Sequence, residues 1–321
     1  AGEDAVEGEW DRKDITFPHR IRQAPPLKGF YEDFRRTPFA DEMVLQAALE
    51  AMKAHGLGED AVTDILAIGF SATDVIGHTY GADSQEAMNQ LLRLDQTLQK
   101  LFDEVDRRVG LQQTWMVLSA DHASMPLVEL AQKKGLPAKR FRSDAVEAAV
   151  NRALQMHFPG VSGLIANYDS PNFYLGDTVL ASKGLKRRAV EAVIVKALLE
   201  TNLFESVYTH ADILNPEKQG DPHLQLIRNS FFEPRSAHII ATPKPYIYIS
   251  DNVGGTGHGT PHDYDRHIPI VFLGAPVKPG SYPVACGPED IAPTLAEMLG
   301  LKGLEKEYDA RILQEMIRQG S

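Results

Sequence analysis

Ser71-Ala-Thr-Asp74-Val-Ile-Gly-His78-Thr-Tyr-Gly81 is the stretch on which the reading of this chain turns. The apolar run Asp64-Ile-Leu-Ala-Ile-Gly-Phe70 leads into it. That run is short, rich in branched side chains and nearly free of charge, so it predicts a buried strand of a parallel sheet. Asp74 and His78 then stand just past the carboxyl end of a strand, where open α/β sheets bind ligands. A carboxylate and an imidazole four residues apart face one point if the turn between them is helical, and both are good zinc ligands. The same pair also fits a plainer reading, in which Asp74 caps the following turn and His78 lies at the surface.

Two later stretches shift the balance. Thr114-Trp-Met-Val-Leu-Ser-Ala120 has a second strand pattern and runs into Asp121-His122. Thr256-Gly-His258-Gly-Thr-Pro261 is a Gly-rich loop, followed shortly by the apolar run Ile268-Pro-Ile-Val-Phe-Leu273. Asp or His therefore recurs at three predicted strand edges, as a two-metal hydrolase requires. The glycines at 254, 255, 257 and 259 read as room for the backbone to approach a metal. They are not a nucleotide P-loop, which needs a Lys and a Ser/Thr at its end.

In order and wording these stretches resemble the alkaline phosphatase superfamily, in particular its phosphatase and type I phosphodiesterase/nucleotide pyrophosphatase branch. The matching text is S-x-x-D-x-x-G-H-x-x-G at Ser71 to Gly81, A-D-H at Ala120 to His122 and H-G-T-P at His258 to Pro261, continued by Asp263-Tyr-Asp265. The likeness runs from about Phe30 to about Leu301, departing at Ala123, where the family usually has Gly. It implies an α/β, alkaline-phosphatase-like fold: a mostly parallel sheet flanked by helices, with an inserted α+β subdomain. It also implies two zinc ions and a phosphoenzyme intermediate. Asp74, His78 and His258 would complete one three-ligand site with an open position, the arrangement of a catalytic zinc. Asp121 and His122 would hold the second ion, converging where the backbone turns at a strand end. The family's nucleophilic Thr or Ser and its first Asp ligand belong to a segment whose motif does not occur in these residues. The chain is thus expected to correspond to the C-terminal part of a family member. Ser71 and Thr73 are hydroxyls near a ligand that read as turn residues rather than nucleophiles.

The expected function is metal-dependent hydrolysis of phosphate esters, with monoesters favoured. Phosphodiesterase, nucleotide pyrophosphatase, sulfatase and cofactor-independent phosphoglycerate mutase are rivals sharing the metal ligands. A catalytically inactive metal-binding fragment is the rival of another class. The resemblance implies a periplasmic or secreted setting and a small phosphate ester as partner. A homo-oligomer, or a further N-terminal segment covering an apolar face, is a further expectation.

The 321 residues are enough for a large core, and 43% hydrophobic with 24% charged residues is ordinary for a globular protein. A formal net charge of −11 argues against a nucleic-acid polymer as partner. It does not exclude a phosphate substrate, since a bound dication reverses the local field. The lone cysteine, Cys286, allows no internal disulfide, and no stretch has the apolar length of a membrane span.

Residues 1–321 read as one catalytic domain. Within it, 1–29 form a polar, Pro-bearing loop or linker, and about 130–250 form the inserted α+β subdomain. Helices are predicted over Asp41–His55, stopped by Gly56; over Ser84–Val109; over Ala145–His157; over Arg187–Glu200; and over Pro288–Gly300. In the second of these, Leu91, Leu94, Leu98, Leu101, Phe102 and Val105 form the expected buried stripe. Together with the strands at 64–70 and 114–120 it would make a right-handed βαβ unit. Strands are predicted at Gly163–Asn167, Asn172–Leu175, His238–Ala241 and Tyr246–Ile249. Lys133, Lys134, Lys139, Arg140 and Arg142 read as a solvated basic loop, and Arg235 as a surface Arg. His55 favours the dipole at a helix end. His19, His157, His210, His223 and His238 show no ligand-like partners in sequence. By the resemblance only His258, not His262 or His267, is a ligand.

Overall fold

The structure is a computed structural model and describes residues 2–3, 6–10, 16–23, 27–301 and 310–318. Its strands are β1 Gly2–Glu3, β2 Thr16–Phe17, β3 Met116–Ser119, β4 Lys139–Phe141, β5 Ile165–Asp169, β6 Asn172–Leu175, β7 Phe204–Thr209, β8 Ile239–Pro243, β9 Ile247–Ile249 and β10 Ile270–Leu273. Its α-helices are α1 Leu27–Phe34, α2 Phe39–His55, α3 Ala72–Tyr80, α4 Gln85–Arg108, α5 Val128–Lys133, α6 Ser143–His157, α7 Asp177–Lys183, α8 Arg187–Glu200, α9 His210–Leu214, α10 Leu224–Ser230, α11 Asp263–Arg266 and α12 Ile291–Met298. The chain divides into two compact units. One holds Ala1–Arg20, Ile76–Ala87 and Ser124–Arg266; the other holds Ile21–Val75, Met88–Ala123 and His267–Ser321. No described helix is long and apolar enough to cross a membrane.

In the first unit, β5, β6, β8 and β7 lie in that order in a four-stranded sheet whose neighbours are all antiparallel. Helices α6 and α8 supply the apolar layer of its core. Val146, Val150 and Leu154 repeat every four residues on α6, and Val190, Ile194 and Leu198 do the same on α8. These positions share one helix face, and all six side chains are buried with Phe173, Phe204, Ile239 and Ala241 of the strands. A separate parallel pair, β4 with β9, brings Tyr248 beside Arg140. The opening stretch, read from sequence as a loop, is tied in at several points. β1 pairs with β2, the Trp10 amide donates to Thr79 O at 2.9 Å, and Gly8 O accepts from the Gly255 amide at 2.6 Å. Pro25 and Pro26 lie outside the described residues.

In the second unit, α2 ends as its sequence predicts. Gly56 is left-handed at φ 61°, and its amide donates to Met52 O, the stop that only Gly adopts without a Cβ penalty. Helix α4 runs on from the first unit, where Ser84 Oγ accepts from the Ala87 amide at 3.0 Å as a side-chain N-cap. Of its predicted stripe, Val105 is buried and Leu94, Leu98, Leu101 and Phe102 are half-buried, while Leu91 is 56% exposed; the polar Gln90 and Thr97 are buried as well.

The α/β class holds, and the ladders are mixed in direction. The strand expected at 64–70 is the main correction. It forms no ladder among the described residues, and Ile65 is 81% exposed. β3 pairs instead with β10, antiparallel, from Met116↔Leu273 to Ser119↔Ile270, so no βαβ unit is formed around α4. A branched apolar run favours an extended backbone, but a ladder needs a partner supplied from elsewhere. Of the basic stretch around 133–142, Lys133, Lys134, Lys139 and Arg142 are exposed as read, but the stretch contributes the end of α5 and β4, and Arg140 is largely covered.

Candidate functional site

Helix α3 carries two of the predicted ligands, Asp74 in its first turn and His78 in its last. At a spacing of four they lie on one helix face. The start of the helix is held by a group the sequence reading passed over. Asp41 Oδ1 accepts from the Ala72 amide at 3.1 Å, and Gln90 Nε2 donates both to Asp41 Oδ2 at 2.6 Å and to Thr73 Oγ1 at 3.2 Å. An anion at a helix N-terminus is favourable, and burial raises the pKa of Asp41 against these bonds. The Thr73 hydroxyl thus serves the local network, as a turn residue would.

In the first unit the far end of α3 meets the Gly-rich loop. The Thr256 amide donates to His78 O at 3.0 Å, and His78 Nδ1 donates to Thr256 O at 2.8 Å. This second bond fixes the ring and makes Nε2 the outward nitrogen. His258 Nε2 lies 3.0 Å from it, with ring centroids 4.8 Å apart. Two imidazole nitrogens converging in this way share one proton or one cation. Ligands about 2.0–2.1 Å from a tetrahedral zinc sit roughly 3.3 Å apart, so the spacing suits an ion. An Nδ1–H held by a backbone carbonyl is the usual outer-shell partner of a ligating His. The donor set therefore fits zinc.

The loop is pinned from several sides. Thr256 Oγ1 donates to Met125 O at 2.7 Å, and Arg140 donates to Gly255 O at 3.0 Å while pairing with Glu129 and lying over the Tyr248 ring. Asp265 accepts from the Thr260 amide at 2.8 Å and from its hydroxyl at 2.6 Å; burial raises its pKa. Gly254 and Gly255 lie against other backbone. A Cβ on Gly255 would stand 2.4 Å from His78 O, and one on Gly254 2.4 Å from Glu9 O. These two make room for neighbouring backbone, whereas a Cβ on Gly257 would meet the Tyr248 ring and one on Gly259 nothing within 4 Å.

In the second unit β3 ends at Ser119 and the chain bends at Asp121. His122 Nδ1 donates to Ala123 O at 3.0 Å, so its Nε2 faces out, 3.6 Å from Asp121 Oδ2 and 3.9 Å from Asp74 Oδ1. The structure thus brings Asp121 and His122 together, sets Asp74 beside His122, and pairs His78 with His258. The contacts of Thr256, Arg140, Asp41 and Gln90 were not readable from sequence because their partners lie far away along the chain. Arg235 rests over the exposed Phe232 ring, 5.2 Å from its centroid.

In each unit of this α/β chain imidazole or carboxylate donors come together, His78 with His258 in one and Asp121 with His122 and Asp74 in the other, a donor chemistry that suits metal-dependent hydrolases. The profile of the type I phosphodiesterase / nucleotide pyrophosphatase family matches residues 5–265, and the chain belongs to that family, within the alkaline phosphatase superfamily. It is 31% identical over 297 residues to the alkaline phosphatase PhoK of a Sphingomonas species, a match covering 89% of this chain and 52% of PhoK. It is 29% identical over 307 residues to the alkaline phosphatase PafA of Elizabethkingia meningoseptica, covering 94% and 55%. The crystal structure of wild-type PafA superposes with a TM-score of 0.87 at 28% identity, over 99% of this chain and 60% of that one. The chain spans about half the length of the curated relatives it matches.

Proposed function

We propose that this chain is part of a zinc-dependent phosphate-ester hydrolase acting on monoesters. Asp74, His78 and His258 hold one ion, and Asp121 and His122 contribute to a second. The observation that carries the reading is the His78–His258 pair, Nε2 to Nε2 at 3.0 Å with His78 Nδ1 anchored on Thr256 O. Without a metal the two nitrogens are joined by one N–H···N hydrogen bond; with that proton released, both lone pairs converge on one point that a cation can occupy.

Zinc in such a site supplies Lewis-acid charge to phosphoryl oxygens. The chain's own part is to fix the imidazoles through backbone carbonyls and to hold the loop through Thr256, Arg140 and Asp265. The curated relatives named as alkaline phosphatases support monoesters, and the family's own name keeps diesters as the second reading. By the family resemblance, reaction would pass through a phosphoenzyme on a Thr or Ser hydroxyl, a role given to no residue here. That likeness also supports a periplasmic or secreted setting.

The test is turnover of an aryl phosphate monoester, an aryl diester and an aryl sulfate by zinc-reloaded protein, with bound metal measured in parallel. The expected order is monoester, diester, sulfate, with His258→Ala losing both turnover and bound zinc. Zinc content and turnover unchanged in His258→Ala would remove the site assignment, and an aryl sulfate cleaved fastest would move the protein to sulfatase chemistry.

A further inference from the structure

His223, which showed no ligand-like partner in sequence, and His262, which the resemblance set aside as a ligand, converge in the first unit on Glu205. Their three donor atoms lie within 4.8 Å of one another. His223 Nδ1 is 3.7 Å and His262 Nε2 3.9 Å from the same oxygen, Glu205 Oε2. Both separations exceed hydrogen-bond reach, about 3.2 Å. They are only a few tenths of an ångström longer than the roughly 3.3 Å between neighbouring ligands of a tetrahedral ion. The two rings meet edge to face, with centroids 5.2 Å apart at 85°.

Each donor is placed by its own element. The register of β7 against β8 shifts between Phe204 and Ser206, so Glu205 is the extra residue of a bulge, a device that re-aims one side chain. The His223 amide donates to Asp221 Oδ1 at 3.0 Å, and Asp221 Oδ2 accepts from the buried Tyr208 hydroxyl at 2.6 Å, fixing the turn before α10. His262 is buried just ahead of α11, with Nε2 donating to Pro243 O at 2.9 Å.

We propose that Glu205, His223 and His262 form a binding site for a divalent transition-metal ion of the zinc type. Two imidazoles and one carboxylate select such an ion over magnesium or calcium, which take all-oxygen sets. The ion replaces the Nε2 proton of His262, which passes to solvent while the bond to Pro243 is given up. Glu205, 43% exposed in its side chain, opens the site to solvent. The bound ion ties β7 and the turn before α10 to the loop that also carries His258. This site shares no ligand with the proposed phosphate-ester centre and stands or falls independently of it.

The experiment titrates zinc into chelator-stripped protein against a competing zinc indicator, with magnesium and calcium as controls and the melting temperature followed alongside. Glu205→Gln is the decisive variant, since its exposed side chain can change without disturbing the fold; His223→Ala is the second. Each is expected to bind one zinc equivalent fewer, or to weaken that equivalent by more than the 10–100-fold that loss of a merely supporting partner costs. Each should also lose part of the zinc-induced rise in melting temperature while melting like the parent when stripped. His258→Ala should remove a different equivalent. If Glu205→Gln and His223→Ala both titrate like the parent, or if calcium displaces the zinc they affect, the site does not exist as described.

Discussion

Gly255→Ala probes the junction between α3 and the loop carrying His258. The residue sits at φ 76°, and its added Cβ would stand 2.4 Å from His78 O. A left-handed alanine costs about 1–2 kcal/mol. The clash adds to this, because His78 O also accepts from the Thr256 amide at 3.0 Å. Parting the strands of this contact leaves a buried polar group without its partner, at about 1–3 kcal/mol. The sum is about 2–5 kcal/mol. Gly135→Ala is the matched control: its φ is 79° and a Cβ there meets nothing within 4 Å, so it carries only the conformational cost. The chain has two tryptophans, and Trp10 Cβ lies 3.6 Å from the added atom. In a Trp115→Phe background, urea unfolding followed by Trp10 fluorescence should place Gly255→Ala below Gly135→Ala by about 1–3 kcal/mol, with weaker zinc binding because His78 Nδ1 loses its aligned carbonyl. Equal destabilisation of the two glycine variants would refute this account of the junction.

Asp41→Asn tests the buried carboxylate behind α3. Burial raises its pKa, so the folded chain holds this proton more tightly than the unfolded one. The group's contribution to stability is fully present below about 3.9 and is lost as pH rises through the raised value. The amide removes that slope. Its oxygen can keep the Ala72 bond, and Gln90 can turn its buried Oε1, which has no hydrogen-bond partner, toward the new NH₂. Urea midpoints at acid and neutral pH should show Asn at least as stable as Asp at neutral pH; a loss above about 1 kcal/mol there would count against it. Ile194→Ala empties a fully buried position between α8 and the four-stranded sheet. It should cost about 2–5 kcal/mol in the same assay, whereas a cost below about 1 kcal/mol would mean the core is packed otherwise.

What the residues determine by themselves is local. The four-residue repeats of α6 and α8 locate their buried faces, and Gly56 ends α2, because helix period and left-handed turns depend on near neighbours along the chain. The motifs that carry the proposed ligands Asp74, His78, Asp121, His122 and His258 are legible for the same reason: each is a short string with its own spacing. Tertiary structure decided the rest. Whether 64–70 becomes a strand depends on a partner that its own composition does not specify. Whether Gly255 makes room for a metal or for His78 O depends on what packs against it, and Arg140 reads as a solvated charge until Glu129, Tyr248 and Gly255 O surround it. Glu205, His223 and His262 are spread over more than fifty residues. Only a bulge in β7, a turn held by Asp221 and a loop end bring them to one point, since donor atoms must converge within a few ångströms and sequence spacing carries no such distance once the chain has crossed several elements.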